Sequence, residues 1–173
     1  MKKIGITGGI GSGKTYISNI FKSLAIPLFN SDIEAKILMN SSKKLISQIK
    51  KEFGEDIYPN GNFNKERLSS IVFSNSTKLQ KLNSLVHPIV KEEFNNWCKK
   101  QTSPYIIKEA AILFESKSHL GLDAVICVSA PLKLRMKRLF NRDNSSEMEI
   151  KKRIDNQISQ EEKEKISDYI IIN

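Results

Sequence analysis

The chain has 173 residues, 39% of them hydrophobic and 27% charged, with a formal net charge of +9. This suits one globular domain and excludes a disordered chain. No apolar run approaches the ~18 residues of a membrane span, and the start MKKIGITGG lacks the apolar core of a signal peptide, so a cytoplasmic protein is expected.

KKIGIT, residues 2–7, is a short run broken at once by glycines, as a buried strand is. In residues 14–25, Ile17, Ile20, Phe21 and Leu24 recur at helical spacing. IPLFN, residues 26–30, reads as a second strand. SDIEAKILM, residues 31–39, opens with helix-start chemistry. Strand, loop, helix and strand in about thirty residues indicate a parallel α/β sheet.

Residues 40–100 are helical by period. KKLISQIKKEFG, residues 43–54, stops at Gly54, YPNGNFN is a turn cluster, and residues 65–73 and 76–100 resume helical spacing. Strands return within residues 103–115 and 122–130. A helix beginning with Pro131, two short helical runs in the charged stretch 143–165, and a last strand in residues 167–173 follow.

The stretch ITGGIGSGKTY holds four glycines and one lysine, and Gly8 to Thr15 fits G-x-x-x-x-G-K-[ST]. A strand before it and a helix after it are the context of a phosphate loop. Glycines let successive N–H groups turn inward as an anion nest, next to the positive end of the following helix. The nucleotide-binding set is therefore Gly9, Gly11, Ser12, Gly13, Lys14, Thr15 and Tyr16. Lys14 reaches the β/γ-phosphates of ATP and Thr15 ligates Mg²⁺. There is no NKxD, and no DxxG after the first helix, which argues against a GTPase. A small kinase fits what remains.

Asp32 follows the second strand, at the sheet end where α/β proteins bind ligands. It is either a carboxylate for an acceptor hydroxyl or a helix cap, and spacing leaves both open. Arg138, Arg142 and Arg153 flank the charged segment, where arginines can clamp a phosphoryl group. Cys98 and Cys127 lack any metal-ligand spacing and read as reduced structural thiols.

Taken in order, GITGGIGSGKT, IPLFNSDIEAKIL, LVHPIV, ILFES, RLFNRDNSSEMEIKKRIDNQ and SDYIIIN resemble the successive motifs of the dephospho-CoA kinases. The resemblance implies ATP-dependent phosphorylation of the ribose 3′-hydroxyl of dephospho-CoA, the last step of coenzyme A biosynthesis. It implies that Asp32 engages that hydroxyl, that His87, Phe114 and Glu115 line the acceptor pocket, and that Arg142 lies near the phosphates. The sequence departs from the family pattern at Asn30 and Glu109, where aspartates are usual, and at Ser31, Ala111 and Tyr16. The family pattern continues beyond the position of Asn173 into a helix, which the resemblance associates with part of the adenine pocket.

The expected fold is a P-loop kinase, with a five-stranded parallel sheet flanked by helices. One domain is expected, with a core of residues 1–31, 101–141 and 161–173, a helical acceptor-binding insertion over 32–100 and a lid over 142–160. Expected partners are ATP·Mg²⁺ and dephospho-CoA, without nucleic acid or membrane. A nucleotide or nucleoside kinase with the same core is the alternative enzyme. A nucleic-acid-binding P-loop protein using its basic surface is the alternative module.

Overall fold

Short β-branched runs separated by amphipathic segments build the chain. The computed structural model describes residues 1–72, 75–143 and 146–173. Five strands form one parallel sheet: β1 (Lys2–Thr7), β2 (Leu28–Asn30), β3 (Tyr105–Glu109), β4 (Ala124–Ser129) and β5 (Tyr169–Ile172). Their spatial order is β2-β3-β1-β4-β5. The chain divides into a sheet unit, Met1–Asn30 with Gln101–Asn173, and a helical unit, Ser31–Lys100.

In the sheet unit, Ile6, Ile17, Ile26, Ile107 and Val128 form one buried cluster. Ala110, Leu113, Phe114 and Val125 form another. Ile6 is fully buried, a burial that contributes about 1.5–3 kcal/mol. Helix α1 (Lys14–Ser23) starts directly from the glycine loop. Its expected core face is only partly used, because Ile17 is buried while Ile20 and Leu24 are 44% and 66% exposed.

The helical unit holds α2 (Ser31–Ser41), α3 (Lys43–Phe53), α4 (Lys65–Val72) and α5 (Ser76–Cys98), with short 3₁₀ turns at Glu55–Ile57 and Pro59–Gly61. Ser42 caps α3 by accepting from the Leu45 N–H, and Gly54 ends it at φ +105°, where only glycine is unstrained. Leu45, Ile49, Ile57, Leu68, Val72, Val86, Val90 and Phe94 are among the unit's buried residues. Tyr58 is buried, donates to the Met39 carbonyl at 2.8 Å, and has its phenol pushed up to about 12 by burial. The helix expected over 65–73 is seen to Val72, and Phe73 lies outside the described residues.

After β4 come α6 (Leu132–Asp143), α7 (Glu147–Asp155) and α8 (Gln160–Lys165). Ser146 and Glu149 close a reciprocal capping box on α7. Asn144 and Ser145, within the expected lid, lie outside the described residues. Both cysteines are buried thiols. Among the described residues, no helix is long and apolar enough to cross a membrane.

Candidate active site

The glycine loop runs from the end of β1 into α1, and its backbone explains its composition. Gly8, Gly11 and Gly13 adopt φ of +147°, +80° and +95°, conformations that L side chains rarely tolerate. An anion nest also requires the loop's oxygens to face away from the ligand, since inward carbonyls would repel phosphate.

Every carbonyl from Gly8 to Ser12 receives a side-chain donor. Lys14 Nζ donates to the Gly8 and Gly9 oxygens at 3.0 and 3.3 Å. Arg135 Nε donates to the Ile10 oxygen at 2.9 Å. Arg138 Nη1 reaches the Gly11 and Ser12 oxygens at 3.5 and 3.3 Å. Asn173 Nδ2 donates to the Ser12 oxygen at 2.9 Å. Gly13 caps α1 with no side-chain acceptor for the first-turn amides, which leaves the positive helix end to act on a ligand.

Two loop amides have side-chain acceptors. The Gly9 N–H donates to Gln160 Oε1 at 2.7 Å, and the Ile10 N–H donates to Gln157 Oε1 at 3.0 Å. Besides its engaged amide, Gly9 is held to a missing side chain, because a Cβ there would meet the Arg135 guanidinium. Arg135 is buried, and desolvation lowers its pKa from the ordinary arginine value.

Strand register assembles the second part of the site. Asn30 on β2 and Ile6 on β1 both pair with Glu109 on β3, so three strand ends stand side by side next to the loop. Thr15 Oγ1 donates to Glu109 Oε1 and Asn30 Nδ2 donates to Glu109 Oε2, both at 2.9 Å. Glu109 is only 2% exposed. The two positions expected to differ from aspartate, Asn30 and Glu109, thus meet in one contact, with the Asn30 amide donating to the Glu109 carboxylate.

The other expected residues are distributed over both units. Asp32 is the second residue of α2. It lies inside the first turn and is not the N-cap. There its charge favours the helix dipole. His87 lies within α5, one residue before Pro88. Tyr16 is 65% exposed on α1. Arg142 and Arg153 converge on Asp143, with Arg142 making a two-pronged contact at 2.7 and 2.9 Å and Arg153 Nη1 approaching at 2.7 Å. Chiefly the hydrogen bond from Arg142 holds the Asp143 carboxyl down at about 2.

Phe114 and Glu115 line a cavity of about 420 Å³ with Lys117, His119, Ile158 and Ile166. Glu115 Oε1 accepts from Lys163 Nζ at 2.8 Å and from the Ile158 N–H at 3.1 Å. Among the described residues, Glu115 Oε2 and His119 Nδ1 are buried without a hydrogen-bond partner. Sequence reasoning missed Arg135, Gln157, Gln160 and Asn173 as loop partners. Their contacts span 125 to 161 positions, and no local spacing signals them.

A family model described as dephospho-CoA kinase matches residues 2–173. The dephospho-CoA kinase of Bacteroides fragilis is 38% identical, with 99% of this chain and 84% of that protein covered. That of Porphyromonas gingivalis is 37% identical, with 100% and 86% covered. Among solved structures, a dephospho-CoA kinase from Campylobacter jejuni matches at a TM-score of 0.70 and 27% identity, covering 100% of this chain and 89% of that one. A shikimate kinase from Acinetobacter baumannii shares the fold at a TM-score of 0.57 and 16% identity, covering 99% and 83%.

Proposed function

The chain belongs to the dephospho-CoA kinase family, and we propose that its phosphate loop, Asp32 and Arg142 carry the ATP-dependent phosphorylation of the dephospho-CoA ribose 3′-hydroxyl. The observation that supports the nucleotide side is that every carbonyl from Gly8 to Ser12 is taken by a side-chain donor. It leaves an electropositive backbone concavity beside Lys14, which suits a polyphosphate.

In the transfer, the acceptor oxygen bonds to the γ-phosphorus as the bond to the β–γ bridging oxygen breaks, releasing ADP. Asp32 takes the hydroxyl proton. Lys14 offsets charge on the β/γ oxygens, and Arg142 steadies the transferring group. Arg138, already beside the Gly11 and Ser12 carbonyls, adds positive charge there, and Arg153 does so with the lid segment 142–160. His87, Phe114 and Glu115 contact the acceptor.

The Thr15 hydroxyl and the Glu109 carboxylate beside it are hard oxygen donors that suit magnesium. Thr15 would ligate the ion and Glu109 would hold a water on it. When bound, it supplies charge neutralisation on the phosphates. Cytoplasmic residence, with both buried thiols reduced, and action without nucleic acid complete the proposal.

The test is ADP release with ATP·Mg²⁺ and each of dephospho-CoA, AMP, CMP and adenosine, with mass analysis of the product. One added phosphate on dephospho-CoA alone is expected. Turnover on a monophosphate instead would reassign the acceptor and keep the loop.

A further inference from the structure

The loop's carbonyls are held by cations and amide donors, and Arg135, Arg138 and Lys14 would in any case be drawn to a phosphate site. The two glutamines need a different account. Gln157 and Gln160 are neutral, and their Oε1 atoms take two consecutive amides, Ile10 N–H at 3.0 Å and Gly9 N–H at 2.7 Å. Oxygen atoms here are badly placed to bind phosphate and well placed to fix the backbone that binds it.

Gln157 stands on the short connection between α7 and α8, and Gln160 is the first residue of α8. Asn156 caps the end of α7, and Ser159 caps the start of α8 by accepting from the Glu162 N–H at 3.1 Å. This connection is itself anchored. The Ile158 N–H donates to Glu115 Oε1, and the fully buried Lys163 Nζ bonds both Glu115 Oε1 and the Ala111 oxygen, the latter at 2.7 Å. Gln160 is 7% exposed, and its Nε2 is surrounded by the Val128 oxygen at 3.3 Å, Glu164 Oε1 at 3.0 Å and Cys127 Sγ at 3.2 Å. Its amide orientation is thereby set, leaving Oε1 to face Gly9.

We infer that Gln157 and Gln160 are positioning residues for ATP: their side-chain carbonyls pin the Gly9 and Ile10 amides from behind, so that the glycine-rich loop is ordered before the phosphates arrive. A loop with three glycines at positive φ loses much backbone freedom on ordering, and ordering it in advance removes that loss from the binding step. The inference rests on the loop being the ATP site.

The experiment uses Gln157→Met and Gln160→Met, which keep side-chain length and remove the acceptor. It measures KM for ATP and for dephospho-CoA, kcat, Tm, ADP·Mg²⁺ affinity by calorimetry, and the Gly9 and Ile10 amide resonances. Each variant should raise the KM for ATP and weaken ADP about tenfold, the loss of one hydrogen bond's worth of order. The KM for dephospho-CoA should stay within about twofold, and the matching amide resonance should move upfield. Gln157 is only partly buried, so Gln157→Met keeps the test open should Gln160→Met fold poorly. An unchanged KM for ATP in a folded Gln157→Met overturns the inference. So does a parallel rise of both KM values with a lowered Tm, which would mark general support only. Lys14→Ala is the control for the premise: if it binds ATP as the unmodified chain does, the loop is not the ATP site and both readings fall.

Discussion

The Thr15 hydroxyl donates to Glu109 Oε1 across 94 positions of sequence, joining the first turn of α1 to the last residue of β3. Glu109→Gln keeps one oxygen but puts an NH₂ group against either Thr15 or the Asn30 amide, both donors. Turnover should fall about 10- to 100-fold, the usual effect of losing a metal site's outer partner. The magnesium concentration for half-maximal rate should rise with it. A magnesium titration of the initial rate checks this, and an unchanged half-point would exclude Glu109 from the metal's surroundings.

Lys14→Ala removes the cation that bonds the Gly8 and Gly9 carbonyls. Loss of an electrostatic donor to the transferring phosphoryl should lower kcat/KM by about 10²–10³ or more. The far-UV circular dichroism should stay native-like. Near-normal ADP release from the folded variant would refute the loop's assignment.

Asp32→Asn tests the acceptor side. If the carboxylate takes the hydroxyl proton, kcat falls about 10²- to 10⁴-fold while ATP binding is kept. As a first-turn charge alone, Asp32 contributes only about 0.3–1 kcal/mol of helix stability, which would lower Tm slightly and leave kcat intact. Measuring kcat and Tm on the same sample separates the two.

Asp143 is held down at about 2, first by the Arg142 hydrogen bond and further by Arg153. Its ordinary carboxyl titrates near 3.9. The pKa is depressed in the folded chain, so the stabilisation is full above pH ~4 and is lost as pH falls toward 2. Carboxyl NMR should show Asp143 titrating well below the other aspartates, and Asp143→Asn should flatten the acid limb of α7 unfolding. A midpoint near the ordinary value would mean that the three-residue cluster does not persist in solution.

Gly13→Ala places a methyl group against the Asn173 side-chain amide, at a backbone φ of +95°. Strain of this kind costs about 1–3 kcal/mol, or roughly 2–12 °C in Tm for a chain of this size. ADP affinity should fall as well, because Asn173 must release the Ser12 oxygen. Thermal melts with and without ADP measure both effects.

The parts of this site that are legible in sequence are those whose cause is local. The run from Lys2 to Thr15 announces strand, turn and helix through apolar residues, glycines and a fixed lysine. Glu109 is readable as a strand-end acid. Ile20 and Leu24 mislead, because helical period marks a face without saying how much of it another element covers. Asp32 looks like a cap from its neighbours, but α2 begins one residue earlier at Ser31. Asn30 reads as a lost aspartate until the register sets it against Glu109, where it donates a hydrogen bond. Gln157 and Gln160 look like ordinary surface amides, since their meaning lies wholly in residues some 150 positions away.

That separation also sets a timetable for synthesis. The loop leaves the ribosome before Gln157, Gln160 and Asn173, which follow 147 to 161 positions later. At about 5–20 residues per second, the nascent chain carries the loop for roughly 10–30 s before these three partners are made. If the glutamines order the loop for ATP as inferred, growing chains gain that capacity late and abruptly, not in proportion to length, and polypeptides halted before Gln157 carry the motif without these two contacts.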